Sequence, residues 1–351
     1  ENLPKKLTRL IDRAGLGTID FDHKFVAIKI HFGEMGNLAY LRPQYARALA
    51  AYIKERGGLP FLTDCNTLYV GSRKNALEHI ETAYINGYTP YATGCQVIIA
   101  DGVRGTDEAY IPIGCEEVKT AKIGRAIADA DIIISLNHFK GHEDAGFGGA
   151  LKNLGMGSGS RAGKMEMHYD GKPVVDRDRC RGCRKCATIC ANDGIHYENN
   201  KAVIDHDNCV GCGRCIAICS FDAIKPDNSS SATSLNRRIA EYAYAVVKDK
   251  PNFHISIAAD ISPNCDCHPE NDAPIVPNIG MFASFDPVAI DLAAADAVNA
   301  MPANPRSALS EAECRCHDHF INVHPNTNWR VQIEHGEEIG LGSSEYELIR
   351  I

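Results

Sequence analysis

Phe25-Val-Ala-Ile-Lys-Ile30-His31-Phe-Gly-Glu34 is a short run of apolar, β-type residues that stops on a polar corner containing glycine. A run this continuous reads as a strand covered on both faces. Upstream, Leu3, Leu7, Leu10, Ile11 and Ala14 fall at helical spacing, and the helix they predict ends at Gly15-Leu-Gly17. Downstream, Pro43 opens a helix that Gly57-Gly58 closes, and residues 59–62 repeat the strand signature before Asp64-Cys65-Asn66. The alternation continues with a helix over 73–86, a strand over 96–100, a helix over 119–129 and a strand over 131–136. After an interruption come a helix over 235–247, a strand over 253–259, and an alanine-rich helix over 287–299. Residues 329–334 read as an edge strand. Buried strands separated by helices predict an α/β fold, a mostly parallel sheet with helices on both faces.

The interruption is a duplication. Asp178-Arg-Cys180-Arg-Gly-Cys183-Arg-Lys-Cys186-Ala-Thr-Ile-Cys190 recurs 29 residues later as Asp207-Asn-Cys209-Val-Gly-Cys212-Gly-Arg-Cys215-Ile-Ala-Ile-Cys219. Each copy spells C-x2-C-x2-C-x3-C. Three closely spaced thiolates reach one iron–sulfur cubane, and the fourth cysteine turns to the other cluster. The expected ligand sets are therefore Cys180, Cys183, Cys186 and Cys219 for one 4Fe-4S cluster, and Cys209, Cys212, Cys215 and Cys190 for the other. Zinc favours paired Cys-x2-Cys halves, and a disulfide framework does not call for two runs of four. The stretch resembles the bacterial two-cluster ferredoxin motif, with Ala191 and Ser220 where that family usually carries proline, which leaves the cluster potentials open. The expected organisation is an α/β part over 1–173, a small α+β ferredoxin-type module over 174–226, and the rest of the α/β domain over 227–351. Asn228-Ser-Ser-Ser-Ala-Thr-Ser234 is a polar exit from the module.

Composition bounds the partners. Lys and Arg total 37 against 45 Asp and Glu, a net charge of −8, and no basic run stands out, which argues against nucleic acid. No apolar run is long enough to span a bilayer. Eight of the 15 cysteines are committed to clusters, and thiolate ligands imply a reducing, anaerobic cytoplasm. The sequence opens at Glu1 without methionine, so an upstream segment is left open.

In parallel sheets ligands bind beyond the carboxyl ends of the strands. Those exits carry His31 and Glu34; Asp64, Cys65 and Asn66; Asp101; His138 and His142; and Asp260 with Cys265, Cys267 and His268. The richest segment is Asn137-His138-Phe-Lys140-Gly-His142-Glu-Asp-Ala-Gly-Phe-Gly148-Gly149-Ala-Leu-Lys152-Asn153-Leu-Gly-Met-Gly157. Its glycines permit close approach to a bound group, and its histidines and lysines supply acid–base groups and cations. The expected catalytic residues are His138, His142 and Lys152, and Lys140, Gly148, Gly149 and Asn153 are expected to touch a cofactor. Neither a Walker A loop nor a clean Gly-x-Gly-x-x-Gly is present. Cys65, Cys265, Cys267 and His268 form a candidate extra metal site, and Cys314-Arg-Cys316-His317 is a second thiol–imidazole group. Asp286 and Asp291 read as caps at the start of one helix.

On Lys29-Ile-His31-Phe-Gly-Glu34, Thr63-Asp-Cys65-Asn-Thr-Leu-Tyr69, residues 138–157 and residues 260–268, the chain resembles a bacterial and archaeal family known only as domain of unknown function three-six-two. Versions of that family carry an inserted two-cluster ferredoxin, but the family name implies no settled activity. His142-x2-Ala-Gly-Phe-x-Gly-x2-Lys152 looks like a segment of nickel-dependent lactate racemase. That likeness implies His142 as proton-transfer group and Lys152 as anchor of a nickel pincer nucleotide; the residues alone also allow Lys152 as a cation for phosphate or carboxylate. The expected function is a cytoplasmic iron–sulfur oxidoreductase, its two clusters serving a site at the strand ends. A redox partner protein and a small anionic substrate or cofactor are the expected partners, and a homodimer is left open. The alternatives are a racemase-like isomerase with structural clusters, and a non-enzymatic electron carrier with a docking domain.

Overall fold

The computed structural model describes residues 1–351 except 70, 170, 171, 191, 210, 227–230, 271, 314 and 315. Cys314, Arg315 and part of the 228–234 exit therefore lie outside the described residues, while Cys316, of the same group, is exposed and donates to Asn322 Oδ1 at 3.0 Å. The first third of the chain runs α1 (Leu3–Arg13), β1 (Phe25–Lys29), α2 (Pro43–Lys54), β2 (Leu59–Asp64), α3 (Ala76–Ile85), the single turn α4 (Pro90–Thr93) and β3 (Gln96–Ile99). Next come β4 (Glu108–Pro112), β5 (Thr120–Gly124), α5 (Arg125–Asp129), β6 (Ile132–His138), β7 (Lys140–His142), β8 (Gly146–Gly148), α6 (Ala150–Ser158) and α7 (Arg161–Tyr169). The cysteine-rich stretch holds β9 (Pro173–Val175), α8 (Lys185–Ile189), β10 (Ile195–Glu198), β11 (Lys201–Ile204), α9 (Arg214–Ile218) and β12 (Ile224–Pro226). The chain ends with α10 (Ala232–Val247), β13 (Asn252–Ala258), β14 (Gly280–Ser284), α11 (Pro287–Asn299), α12 (Ala308–Glu311), α13 (His319–Val323) and α14 (Arg330–Glu338).

Six strands form the central sheet in the order β14-β13-β6-β1-β2-β3. Every neighbouring pair is parallel except β13–β14. The α/β expectation holds. β6 and β13 pair directly although the cysteine-rich stretch lies between them in sequence, so the sheet is completed by chain from both sides of that stretch. Val26, Ile28, Leu62, Ile132 and Ile134 face one core with α1 and α2. Ala27, Phe61 and Ile133 face the other, with α6, α10 and α11. That two-sided burial is why the strand runs are apolar almost throughout.

Two elements differ from expectation. The helix expected over 119–129 is strand in its first half: β5 pairs antiparallel with β4 from Thr120↔Pro112 to Gly124↔Glu108, and the second half is α5. The edge strand expected over 329–334 is helix α14, whose Gln332, Ile333 and His335 are buried. The antiparallel edge is supplied by β14 instead. No helix among the described residues is long and apolar enough to cross a membrane.

Candidate functional site

β1 leads to β2 on one side and is flanked by β6 on the other, so the sheet changes direction between β1 and β6. A crevice beyond the strand ends at such a point is the usual ligand site of open α/β sheets. Lys29, at the end of β1, is wholly buried there, 3.0 Å from Asp64 Oδ1 and donating to Asn153 Oδ1 at 2.9 Å. Asn153 in turn donates to the Lys29 carbonyl and to Ser135 Oγ, both at 2.9 Å, which ties α6 across the β1–β6 boundary. Arg73, also buried, meets Glu34 at 3.2 Å and Asp64 at 3.5 Å. Burial works against the Asp64 charge, but Lys29 and the His79 imidazole 3.7 Å away overcome it and hold the carboxyl well below its usual range.

His138 is committed at both nitrogens. Nδ1 lies 2.9 and 3.0 Å from the two oxygens of Asp266, and Nε2 lies 2.8 Å from the Ala259 carbonyl. Both partners are acceptors, so neither ring lone pair faces the crevice. Lys140 Nζ shares the same Asp266 carboxylate at 3.8 Å. Burial opposes the Asp266 charge, and His138 and Lys140 outweigh it.

The β7–β8 hairpin places His142 differently. Its Nδ1 accepts the Asp144 and Ala145 amides, each at 3.1 Å, which leaves Nε2 to face the sulfurs of the 265–267 turn. A His142 ring nitrogen, Cys265 Sγ and Cys267 Sγ lie within 4.8 Å of one another, a set compatible with a metal ion. Lys152 Nζ stands 3.7 Å from Cys265 Sγ. The hydrogen bond from Cys267 holds the Cys265 thiol well below its ordinary range; burial opposes this, and Lys152 and Lys140 assist. Cys267 is pushed the other way by the same hydrogen bond and by burial. Of the two sulfurs Cys265, with the Lys152 ammonium beside it, is the one on which negative charge is favoured.

The expected Cys65–Cys265–Cys267–His268 quartet is not assembled. Cys65 donates to the Ser158 carbonyl at 3.3 Å, and burial drives its thiol upward. His268 is drawn to Glu143 at 2.9 Å and Glu270 at 3.2 Å; the Glu143 hydrogen bond raises its pKa to about 9 against the effect of burial. Glu143, Cys267 and His268 form a second set with ligand atoms within 4.8 Å.

Lys29, His31, Lys140, Lys152, Lys164, Gly148 and Gly149 line one crevice of about 560 Å³ with Cys65, Cys265 and Cys267. It shares Lys152, Lys164 and Cys267 with a wider cleft of about 1520 Å³ that also reaches His142 and His168. A side chain at Gly149 would collide with Asp291, whose carboxylate accepts the Ala150 and Leu151 amides at 2.6 and 2.8 Å. Asp291 therefore caps α6, not its own helix, while Asp286 caps α11 as expected. Asp260 stays outside, paired to Arg42 at 3.4 Å, and Asp101 is taken by the Asn66 amide and side chain. Sequence reasoning gave no role to Arg73, Asp266 or Lys164, nor to Lys29, although a lysine inside an apolar strand run is itself a signal of a buried partner.

In the cysteine-rich stretch the duplication is visible in the backbone. Positive φ recurs at matching positions of the two copies: 64° and 67° at Gly182 and Gly211, 64° and 65° at Arg184 and Gly213, 50° and 49° at Asp193 and Asp222. Cys180, Cys183, Cys186 and Cys219 line a single cavity. Cys209 has Cys212 and Cys190 as charge neighbours, and burial pushes the Cys215 thiol up to about 12, with Cys212 and Cys209 adding to it. The Ala202 and Ala223 amides donate to Cys180 and Cys219 at 3.4 and 3.3 Å, and Tyr197 OH lies 3.1 Å from Cys186. Leu68 and Met165 pack into the same core as Cys180, Cys186 and Cys215.

Fold and site together define an α/β protein with a cationic, thiol-bearing crevice at the turning point of a parallel sheet. The chain belongs to the family described as "Domain of unknown function (DUF362)", which matches residues 26–296. No curated protein matches it. Among solved structures it is similar to the lactate racemase apoprotein from Thermoanaerobacterium thermosaccharolyticum, with a TM-score of 0.44 at 11% identity, over 81% of this chain and 52% of that one. It is also similar to a Thermotoga maritima protein, with a TM-score of 0.38 at 13% identity, over 73% and 49%. The chain thus spans about half the length of these solved structures.

Proposed function

We propose that this chain is an iron–sulfur redox protein in which residues 174–226 form an inserted two-cluster module between the parts 1–173 and 227–351 of the α/β domain. Cys180, Cys183, Cys186 and Cys219 hold one 4Fe-4S cluster; Cys209, Cys212, Cys215 and Cys190 hold the other. The observation that carries this reading is the cavity lined by three close cysteines of the first run and the last cysteine of the second, the crossed set that the tandem spacing demands. The donor set fits: four thiols converge, with backbone amides and a tyrosine hydroxyl aimed at their sulfurs. Such clusters, when bound, supply one-electron steps.

The remaining work falls to the chain's own side chains. Ile224 lines both that cavity and the wide cleft, and Ile216, next to Cys215, lines the cleft. Lys140, Lys152 and Lys164 hold a small anionic substrate or cofactor, His142 presents Nε2 to it, and His138 positions Lys140 through Asp266. Protein purified without oxygen is expected to carry about eight irons per chain and reducible low-potential clusters. Cys219→Ala is expected to remove about half of that iron. A chain holding zinc alone would end this reading.

A second reading, proton exchange at a substrate α-carbon without net electron transfer, is favoured by one observation: His142 and Lys152 face the same cleft. It expects bound nickel and a covalent adduct on Lys152 in the intact mass, and the absence of both removes it.

A further inference from the structure

The two sulfurs at the crevice floor have chemistry that cluster binding leaves unassigned. Residues 265–268 make a turn closed by the His268 amide donating to the Cys265 carbonyl at 3.1 Å. A turn brings Cα atoms two residues apart closer than their extended span of roughly 7 Å. Disulfides bridge Cα separations below about 7 Å, and the two sulfurs of this pair lie within 4.8 Å of each other.

Three features speak against a resident metal ion at the same sulfurs. The His142 Nδ1 lone pair already takes two backbone amides, so the ring proton sits on Nε2, which is then a donor and not a ligand. The Lys152 ammonium, 3.7 Å from Cys265 Sγ, would meet a divalent cation as a like charge. His268, the other nearby imidazole, is held between two carboxylates.

We propose that Cys265 and Cys267 are a dithiol–disulfide couple that reduces a small anionic disulfide held among Lys140, Lys152 and Lys164. The Cys265 thiolate attacks one substrate sulfur, the substrate S–S bond breaks, and a mixed disulfide forms. Cys267 gives its proton to the departing thiolate, then attacks Cys265 Sγ and releases the second half as a thiolate. The enzyme is left as the Cys265–Cys267 disulfide. Two electrons and one proton restore the thiolate–thiol pair, one electron from each reduced cluster; for this electron source the proposal rests on the cluster reading. Lys152 and the His142 Nε2 proton steady the sulfur charge throughout, and the cationic wall selects the anion.

The test mixes anaerobic holoprotein with glutathione disulfide, which is anionic, or with cystamine, a cationic disulfide. Differential alkylation and peptide mass mapping then read each cysteine. Glutathione disulfide is expected to close the Cys265–Cys267 bond about tenfold faster than cystamine or better. Cys267→Ser is expected to stop at a glutathione adduct on Cys265, and Cys265→Ser to form no adduct at 267. Wild-type mapping stands alone if either variant fails to fold. Both thiols remaining free, or equal rates with the two disulfides, overturns the proposal. Iron present with the thiols unreactive sinks the couple alone; a closed disulfide in a chain without iron sinks the cluster reading and keeps the couple.

Discussion

Gly155→Ala tests whether the cleft depends on how closely α6 lies against α10. Gly155 faces the main chain of α10: a methyl group there would overlap the Ile239 carbonyl oxygen and stand 3.0 Å from its carbon and 3.2 Å from its Cα. Ordinary contacts fall at about 3.5–4 Å and the oxygen overlap is the deepest, so the helices must part by about 1 Å or more. The neighbour is backbone, which cannot swing aside as a side chain would. Overpacking of this kind costs about 1–3 kcal/mol, and the gain in helix propensity from glycine to alanine returns about 1 kcal/mol. The net expectation is a loss of up to about 2 kcal/mol, seen as a lowering of the thermal midpoint by up to a few degrees. The functional consequence is larger than the energetic one. α6 carries Lys152, and a shift of that size moves its ammonium off the 3.7 Å contact with Cys265. Iodoacetamide labelling of Cys265, followed by peptide mass mapping on the anaerobic protein, should slow while the other thiols keep their rates. An unchanged midpoint together with an unchanged Cys265 rate would show that the α6–α10 contact sets neither stability nor the thiolate.

Three further outcomes follow from buried charge. Asp291, lifted by burial from 3.8 to about 7 despite two amide donors, costs nothing where both states are protonated. Between pH about 4 and about 7 the unfolded chain releases this proton first, so stability falls, by about 4 kcal/mol once the folded group has also ionised. In Asp291→Asn that fall should be missing from urea midpoints measured at pH 5 and 8, and a wild-type-minus-variant difference independent of pH would contradict it. His268 has its pKa raised to about 9 by Glu143; its contribution is complete below pH 6.5 and is lost as pH rises through 9. His268→Gln should therefore flatten thermal stability between pH 7 and 10, and an unaltered slope there would mean the Glu143 contact does not form in solution. Arg73→Met strands Glu34 without its cation, an uncompensated burial worth about 3–5 kcal/mol, while Asp64 keeps Lys29. A chemical-denaturation loss under about 1 kcal/mol would mean water reaches the Glu34 carboxylate.

The strands that build the sheet were legible because each is apolar on both faces: β1, β2, β6 and β13 stand out without knowledge of their neighbours. β5 was not, since Ala121, Ile123, Ile127 and Ala130 carry a helix-like spacing and only pairing with β4 across the hairpin settles the matter. α14 misled in the opposite sense. Trp329, Val331 and Ile333 alternate like a strand, whereas the helix is fixed by packing on α10, where His335 meets Glu241 at 2.9 Å. The crevice was legible as a set of strand exits, but not in its internal wiring. Nothing local to Asp266 says that it clamps His138, a residue 128 positions away. Cys65 sits at the right exit, yet its rotamer sends the sulfur to Ser158. Spacing identifies which residues reach a site, and burial decides what each is free to do there.

That distinction is sharpest on α7, whose side chains divide by turn. Arg161 and Met165, four residues apart and so on one face, meet the cysteine-rich stretch: Arg161 packs on Gly213 and Met165 joins the core of Cys180, Cys186 and Cys215. Lys164 and His168, again four apart, line the wide cleft. Glu166, on the remaining side, takes the Tyr242 hydroxyl of α10 at 2.5 Å. One short helix is therefore a wall common to the cysteine core and the cleft, with α10 braced behind it. Lys164 also donates to the Gly159 carbonyl at 2.6 Å, which ties it to the backbone just beyond α6. The cysteine core and the cleft thus share one element, α7, with Met165 on the first and Lys164 and His168 on the second.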